Sequence, residues 1–234
     1  MTRSALISFS GGQDSTTCLF WALKHYDHVQ TMGFDYGQTN RVELDCRANI
    51  LQAIRNEFPE FAERLGEDTV IDVRSFGQIA QSALTGNGEK LELREGQLPT
   101  TFVPGRNLMF LTYAAARAYL RGIHDIVAGV GEADFSGYPD CRRNTLDALE
   151  QALSLGMDYP IKIVTPLMHR TKAQTWALAH ELGGDRLVNF IVEHSHTCYE
   201  GDRTHHHAWG WGCGKCPACV LRAKGFEEFL AMQK

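Results

Sequence analysis

The chain has no apolar run long enough to cross a membrane. The apolar run near its start, residues 5–9, is also far shorter than the apolar region of a secretory signal peptide. We therefore predict a cytoplasmic protein with no membrane partner. With 234 residues, of which 44% are hydrophobic and 22% charged, the chain is long enough to form one substantial core and a small appendage.

The sequence also lacks an excess of positive charge. Its formal net charge is −5, which argues against a large nonspecific nucleic-acid surface but leaves room for a small, shaped one. We therefore expect no stable nucleic-acid partner. Internal repeats and low-complexity tracts are absent as well, so a repeat architecture is excluded.

The most informative segment joins a strand, a tight turn and a helix start. The apolar run of residues 5–9 leads into Ser10-Gly-Gly12, and Asp14, Ser15 and Thr16 follow. Adjacent glycines bring backbone N–H groups close to an anion, while hydroxyls and a helix N-terminus add further donors. Neither the Gly-Lys-Ser/Thr of a Walker loop nor the third glycine of a dinucleotide fingerprint is present. Residues 10–15, called the phosphate loop below, are thus predicted to bind nucleotide phosphates.

Strand and helix patterns alternate along most of the chain. The expected strands are 5–9, 29–34, 69–73, 126–130 and 161–164, and the expected helices are 16–26, 42–58, 106–120, 142–155 and 172–182. This alternation predicts an α/β fold with a doubly wound, mostly parallel sheet that binds ligands at the carboxyl ends of its strands. Residues 84–100 interrupt it with glycines and mixed charges, and we expect a mobile loop there that acts as a lid.

Four of the seven cysteines are clustered near the end of the chain. Cys213, Cys216 and Cys219 have the spacing of metal ligands, and Cys198 is the expected fourth ligand. Four thiolates form a closed, structural zinc site. Three alternatives remain open: buried free cysteines, an iron–sulfur cluster, and a histidine in place of Cys198. The histidines near it are His194, His196, His205, His206 and His207.

The segment that carries these cysteines is not strongly basic. Residues 201–234 contain five basic and three acidic residues, and zinc with four thiolates adds two negative charges. Such a segment is too weakly charged to neutralise several phosphates. We therefore expect a small zinc lobe, residues 191–234, that packs on the α/β core of residues 1–190, which carries the phosphate loop. We do not expect this lobe to act as a nucleic-acid finger.

Five sequence blocks, in order along nearly the whole chain, resemble the 7-cyano-7-deazaguanine synthase family of pyrophosphatase-loop enzymes. The blocks are residues 10–17, 34–38, 101–107, 134–142 and the cysteine segment with Leu221-Arg222. The resemblance implies a Rossmann-like fold of the adenine nucleotide α-hydrolase type and a zinc-bearing homodimer. It also implies ATP-dependent conversion of 7-carboxy-7-deazaguanine and ammonia to the nitrile, through an adenylated carboxylate and an amide, in queuosine biosynthesis.

The resemblance also assigns roles to residues of this sequence. The ATP-binding residues that it implies are Phe9, Ser10, Gly11, Gly12, Gln13, Asp14, Ser15, Thr16, Thr17, Cys18, Leu19 and Arg106. The implied catalytic residues are Asp14, Ser15, Arg106 and Lys172. The loop that would bind the deazapurine contributes Asp134, Ser136, Gly137, Tyr138, Pro139, Asp140 and Arg142, and the implied metal ligands are Cys198, Cys213, Cys216 and Cys219.

Several of these residues have a simpler alternative role. Asp14 is either a Mg²⁺ ligand or a helix N-cap, or both. Arg106 is expected to contact nucleotide, whereas Asn107 is expected to cap the helix. Cys141 is expected to pack, because adenylation needs no nucleophilic thiol. Lys172 either stabilises charge on phosphate or is a solvated helix lysine.

One block departs from the family pattern. The family usually has Arg-His after the Asp-Tyr-Gly-Gln sequence, whereas this chain has Thr39-Asn40. The positive charge there is missing unless Arg41 supplies it.

Two other functions compete with nitrile synthesis. A tRNA-thiolating ATP pyrophosphatase with an iron–sulfur cluster also adenylates an oxygen and replaces it, but on a nucleic acid. A zinc-finger regulator that binds DNA is suggested by the cysteines alone, and the near-neutral charge of their segment argues against it.

Overall fold

A computed structural model of the chain describes residues 2–86, 88–92, 97–132 and 137–234. Its centre is a five-stranded sheet of β1 (Ser4–Ser8), β2 (His28–Asp35), β3 (Leu65–Asp72), β4 (Asp125–Ala128) and β5 (Lys162–Val164). The strand order is β3-β2-β1-β4-β5, and every neighbouring pair is parallel. The predicted α/β class with a doubly wound parallel sheet is confirmed.

Helices cover both faces of this sheet. They are α1 (Gln13–His25), α2 (Val42–Glu57), α3 (Pro59–Ala62), α4 (Arg74–Ile79), α5 (Arg106–Arg121), α6 (Arg143–Met157), α7 (Lys172–His194) and α8 (Pro217–Met232), with a 3₁₀ helix at Pro139–Cys141 and a small antiparallel pair of β6 (His206–His207) and β7 (Gly210–Trp211). Across the described ranges, no helix has the length and apolar character needed to span a bilayer. Except for α7, the predicted elements begin and end within four residues of the observed ones.

The central strand shows why the strands read as continuous apolar runs. Ala5 and Ile7 belong to a core formed with α1, α7 and α8, whereas Leu6 belongs to a second core formed with α5 and α6. All three are at most 1% exposed. Because successive side chains point to opposite faces of a strand, a sheet that is covered on both sides buries all of them. Each fully buried aliphatic side chain contributes roughly 1.5–3 kcal/mol.

The strand order places a crevice between β1 and β4. The chain winds outward from β1 to β2 and β3 and then returns to add β4 and β5 on the other side of β1. At such a reversal the loops after the two central strands diverge and leave room for a ligand. Gly129, after β4, lies so close to α1 that a Cβ atom on it would come within 2.9 Å of Ser15 N.

The expected end of the last core helix, residue 182, is where α7 breaks, because Gly183 and Gly184 have non-helical backbone angles. The sequence did not predict the second helical segment, which follows the glycine pair and ends at His194. The glycine pair is the local stop signal that the sequence shows. Beyond it the helix resumes, because Leu187, Val188 and Ile191 are buried against the core.

The loop expected at residues 84–100 is held at its base. Ala83 N donates to Thr100 O at 3.0 Å, and Thr39 N donates to Leu84 O at 2.9 Å. Residues 87 and 93–96 lie outside the described residues. Its mobility and its action as a lid therefore stay predictions.

Candidate active site and metal centre

A cavity of about 290 Å³ lies at the carboxyl ends of β1, β2 and β4. The four residues predicted to be catalytic, Asp14, Ser15, Arg106 and Lys172, all line it. The other predicted ATP-binding residues that line it are Phe9, Ser10, Gly12 and Gln13. Thr16, Thr17, Cys18 and Leu19 are instead buried in α1. The crevice at the strand reversal is thus lined by the predicted phosphate loop.

The hydroxyl of Ser15 organises the phosphate loop from within. Ser15 Oγ accepts hydrogen bonds from Ser10 N at 3.3 Å and Gly11 N at 3.2 Å, and it donates to Gly12 O at 3.1 Å. Gly11 has a φ of +94°, and a Cβ atom on it would lie 2.9 Å from Glu43 O in α2. The loop therefore keeps its shape through one hydroxyl and through a close approach that only glycine allows.

Asp14 binds a lysine from the far end of the core. Both of its carboxylate oxygens lie 2.8 Å from Lys172 Nζ, and Lys172 is only 7% exposed. The N-cap of α1 is Gly12, so Asp14 does not cap the helix. Lys172 is likewise not a solvated helix lysine. The pair places a cation and an anion beside the phosphate loop.

Arg106, which lines the cavity, has an unused hydrogen-bond donor. Its Nη1 donates to Tyr36 OH at 3.2 Å, and its guanidinium lies 5.5 Å from the centre of the Tyr36 ring. Its Nε is buried and has no hydrogen-bond partner within the part of the chain that the structure describes. Because guanidinium groups bind phosphate and carboxylate oxygens strongly, this donor is suited to an anionic ligand.

The expectation that Asn107 caps α5 was wrong. The N-cap is Gly105, and Asp140 Oδ2 accepts a hydrogen bond from Asn107 N at 3.0 Å. Asp140 is 4% exposed, so it fixes the start of α5 from a distant part of the chain. Burial raises the pKa of Cys141 to about 12, and its nearness to Asp140 adds to this rise. Cys141 is thus a thiol at neutral pH, in line with a packing role.

The structure divides the predicted substrate loop. Asp134 and Ser136 lie outside the described residues. Tyr138 lines the main cavity and, with Gly137 and Arg142, an adjoining open depression of about 570 Å³. Pro139 starts the 3₁₀ helix. Among the described residues predicted to bind substrate, Tyr138 is the one that lines the same cavity as the phosphate loop.

Sequence reasoning missed the wall of the cavity formed by Asn40 and Glu43. Both line the cavity, and Asn40 Nδ2 donates to Glu43 Oε2 at 3.2 Å. Arg41, considered as a source of positive charge, pairs instead with Asp35 at the surface. The sequence held only a weak signal for Glu43, because an acidic residue in the first turn of a helix is ordinary.

The four predicted cysteine ligands converge. Their sulfur atoms all lie within 4.8 Å of one another, and the Cys198–Cys216 and Cys213–Cys219 separations are each 4.0 Å. Tetrahedral zinc with bonds of about 2.3 Å places its sulfurs about 3.8 Å apart, so the cluster fits a metal ion. Hydrogen bonds from Cys216 and Cys219 hold the pKa of Cys198 far below its usual range.

The neighbouring histidines have other partners. His196 Nε2 bonds Cys198 O, His207 Nε2 bonds Gly212 O, and His205 pairs with Asp202. Within the described ranges, the four cysteines are the only group of three or more Cys, His, Asp or Glu residues whose ligand atoms converge. A histidine in place of Cys198 is therefore not supported.

The cysteine segment touches the phosphate loop. His196, two residues before Cys198, donates its backbone N–H to Gly11 O at 3.1 Å. Arg222, in α8, is fully buried and donates to Trp209 O, Thr197 Oγ1 and Ile191 O. The cysteine cluster and the cavity are thus joined by a few hydrogen bonds.

The chain is similar to known proteins over nearly its whole length. A family model for the queuosine biosynthesis protein QueC matches residues 4–230. The chain belongs to this family. It is 60% identical over 227 residues to the 7-cyano-7-deazaguanine synthase of Caulobacter vibrioides. This match covers 97% of this chain and 93% of that protein. The chain is 57% identical over 231 residues to the synthase of Nitrobacter hamburgensis, with 99% and 97% covered.

A solved structure of low sequence identity shares the fold of this chain. A 4-thiouridine synthetase, solved in complex with RNA and with bound ATP, superposes with a TM-score of 0.52 at 17% identity. The match covers 96% of this chain but 53% of that one, so the chain spans about half the length of the synthetase. At this identity the likeness shows a shared fold and nothing finer.

Proposed function

We propose that this chain is a 7-cyano-7-deazaguanine synthase, which converts 7-carboxy-7-deazaguanine and ammonia to 7-cyano-7-deazaguanine with ATP, in queuosine biosynthesis. The observation that carries this proposal is the 60% identity to a synthase over 97% of the chain. The cavity adds support, because a glycine-rich loop, a buried lysine and an unpaired arginine donor meet in it.

The chemistry requires two activations by ATP. A carboxylate is a poor electrophile, so its oxygen first attacks the α-phosphorus of ATP and pyrophosphate leaves. Ammonia then displaces AMP and forms the amide. The amide oxygen then attacks a second ATP, and pyrophosphate leaves again. Loss of AMP, which carries that oxygen away, and of the two N–H protons leaves the nitrile. We propose that the phosphate loop, Arg106 Nε and Lys172 Nζ bind phosphate oxygens and stabilise the charge that develops there.

Two metal ions have different places in this proposal. Mg²⁺ would enter with ATP, held mainly by its phosphates, because Asp14 is a single carboxylate already bound by Lys172. Zinc would occupy the four cysteines, whose spacing leaves no open position for water. Its part would be structural, and no reaction step passes through it.

We further propose that Tyr138 and its loop bind the deazapurine, that the protein acts in the cytoplasm as a homodimer, and that it needs no stable nucleic-acid partner. Residues 1–190 would form the ATP-binding unit and residues 191–234 the zinc lobe. The aromatic ring of Tyr138, 8% exposed beside the cavity, offers a flat surface to a purine-like base.

The decisive experiment is incubation of the purified protein with ATP, Mg²⁺, ammonium and 7-carboxy-7-deazaguanine. Mass spectrometry should detect AMP and the nitrile, and the nitrile should be absent when ammonium is omitted. Formation of ADP, or failure to form the nitrile, would refute the proposal. A colourless protein with stoichiometric zinc is expected, whereas a brown protein with iron would favour tRNA thiolation.

A further inference from the structure

A carboxyl group lies directly above the phosphate loop, on a wall of the cavity that has no assigned role. Glu43 Oε1 is 3.1 Å from the position that a Cβ atom on Gly12 would occupy. Its carboxyl group is hydrogen-bonded by the Ser10 hydroxyl and, at 3.2 Å, by Asn40 Nδ2. A bare carboxylate repels phosphate, so this group is not suited to hold the anion itself.

Asn40 adds an unused acceptor to the same wall. It is 5% exposed and lines the cavity, and its Oδ1 is buried with no hydrogen-bond partner among the described residues. While Glu43 is ionised, a reversed amide would place Oδ1 against the carboxylate, so Nδ2 faces Glu43. Buried acceptors are normally paired. The wall therefore combines a carboxylate with an unpaired amide oxygen beside it, which a small ligand that donates hydrogen bonds would satisfy.

The surroundings of Glu43 allow its carboxyl group to change protonation near neutral pH. Burial raises its pKa to about 7, although Ser10, Arg106 and Asn40 oppose the rise. The charged and titratable groups that face it are Arg106, Tyr36 and Cys46. Burial also raises the pKa of Tyr36 and of Cys46, so both are neutral at pH 7. Glu43 can thus accept a proton there.

We propose that Glu43 and Asn40 bind the ammonium ion and that Glu43 takes one of its protons. This inference rests on the proposed function. Ammonium has four N–H donors and a positive charge, which match the carboxylate and Asn40 Oδ1. Proton transfer to Glu43 leaves ammonia, whose lone pair attacks the acyl carbon of the adenylate. The C–N bond forms, the bond from carbon to the AMP oxygen breaks, and AMP leaves. One further N–H proton passes to water, Glu43 later releases its proton to water as well, and the amide keeps two protons.

Glu43→Gln tests this role, with Asp45→Asn as the control because Asp45 lies exposed in the same helix. Two reactions are measured: ATP–pyrophosphate exchange with the carboxylate and no ammonium, and AMP formation with ammonium. In E43Q, kcat/KM for ammonium should fall roughly 10²-fold, at least tenfold more than exchange does. Wild-type kcat/KM for total ammonium should stay level just above pH 7 and decline below about 7, because Glu43 supplies the base. In E43Q it should instead follow the fraction of free ammonia, and it should fall about tenfold for each unit of pH across the whole neutral range.

A second nucleophile keeps the test independent of folding. Hydroxylamine is largely unprotonated at neutral pH and needs no base, so E43Q should form the hydroxamate at a rate close to that of wild type. Asn40→Leu should raise the KM for ammonium and move the pH decline to higher pH, because Asn40 no longer opposes the rise of the Glu43 pKa. If exchange fails equally in E43Q, Glu43 serves adenylation or folding, and if KM for Mg²⁺ rises instead, the wall binds a metal. Either result would show that the proposal is wrong. Absence of exchange in the wild type would instead refute the proposed function.

Discussion

At the scale of single residues, the contact between Asp14 and Lys172 joins the phosphate loop to the start of α7. The lysine is nearly fully buried, while about a third of the Asp14 side chain is exposed. A buried ammonium without its carboxylate is costly, because its charge loses both water and its partner. The pair therefore has two effects that can be separated, one on stability and one on phosphate chemistry.

We predict that Asp14→Asn destabilises the protein by about 1–3 kcal/mol, less than the 3–5 kcal/mol typical of a fully buried pair because Asp14 is partly exposed. Pyrophosphate release should fall by roughly 10²-fold or more. Urea unfolding and a pyrophosphate assay check the two effects. Glu228→Gln, which breaks the exposed pair with Lys224, should change stability by less than about 0.5 kcal/mol.

The double variant Asp14→Asn/Lys172→Met separates the two effects. It should recover part of the lost stability, because no unpaired charge remains, but it should recover no activity. Full stability in D14N alone would show that the pair is not needed to bury the lysine.

Which single residues the sequence could predict depends on how local their chemistry is. Asp14 and Ser15 were found because a strand, two glycines and a helix start follow one another in the chain. The cap of α5 was misassigned because Asp140, which binds Asn107 N, lies 33 residues away. Glu43 and Asn40 were missed because the approach of Glu43 to the phosphate loop depends on how α2 packs, which no short segment encodes.

At the scale of elements, helix α2 lies against the phosphate loop with no room between them. A Cβ atom on Gly11 would lie 2.9 Å from Glu43 O and 3.0 Å from Arg47 Cα. Arg47, 1% exposed, also donates from Nε to Phe9 O at 2.8 Å and pairs with Asp68 of β3. The loop is therefore positioned by α2 from one side and by Lys172 from the other.

Gly11→Ala should push α2 away from the loop. We expect a loss of roughly 2–4 kcal/mol, which combines the positive φ with the backbone clash, together with weaker ATP binding in a titration. Gly122→Ala is the matched control, since Gly122 also has a positive φ, +65°, but no atom of the described residues lies within 4 Å of an added Cβ. It should cost only about 1–2 kcal/mol. Equal losses in the two variants would mean that contact with α2 is unimportant.

The sequence predicted elements well where they form locally and poorly where packing decides. Strands β1 and β4 were recognisable because burial on both faces makes them continuous apolar runs. The second segment of α7 was not predicted, because Gly183-Gly184 is a strong local stop and the helix begins again only through the burial of Leu187 and Ile191. Helix α8 was not anticipated, because its first turn also carries Cys219 and was interpreted only as metal-binding sequence.

At the scale of the whole molecule, the cysteine segment and the ATP cavity are close neighbours. His196 bonds Gly11 O two residues before Cys198, and Thr197 and Tyr199 line the cavity. Since bound metal contributes folding free energy to the segment that holds it, its loss should be felt at the phosphate loop as well.

Cys216→Ser should therefore release metal and lower stability by at least about 2 kcal/mol, or roughly 4–8 °C in Tm for a chain of this size. ATP affinity should fall in parallel. Metal analysis, thermal unfolding and nucleotide titration measure the three quantities. Cys46→Ser serves as the control, because Cys46 is buried but lies outside the cluster, and its metal content should be unchanged. Retention of full metal in C216S would exclude Cys216 as a ligand.

The order in which the phosphate loop and its contacting residues are synthesised has a consequence for nucleotide binding. The phosphate loop emerges early, whereas Lys172 and His196, which brace it, emerge about 160 and 185 residues later. Domains generally complete folding only when their interacting segments are available. A nascent chain should thus be unable to capture nucleotide until the segment with His196 has been made, which would keep shorter polypeptides from consuming ATP.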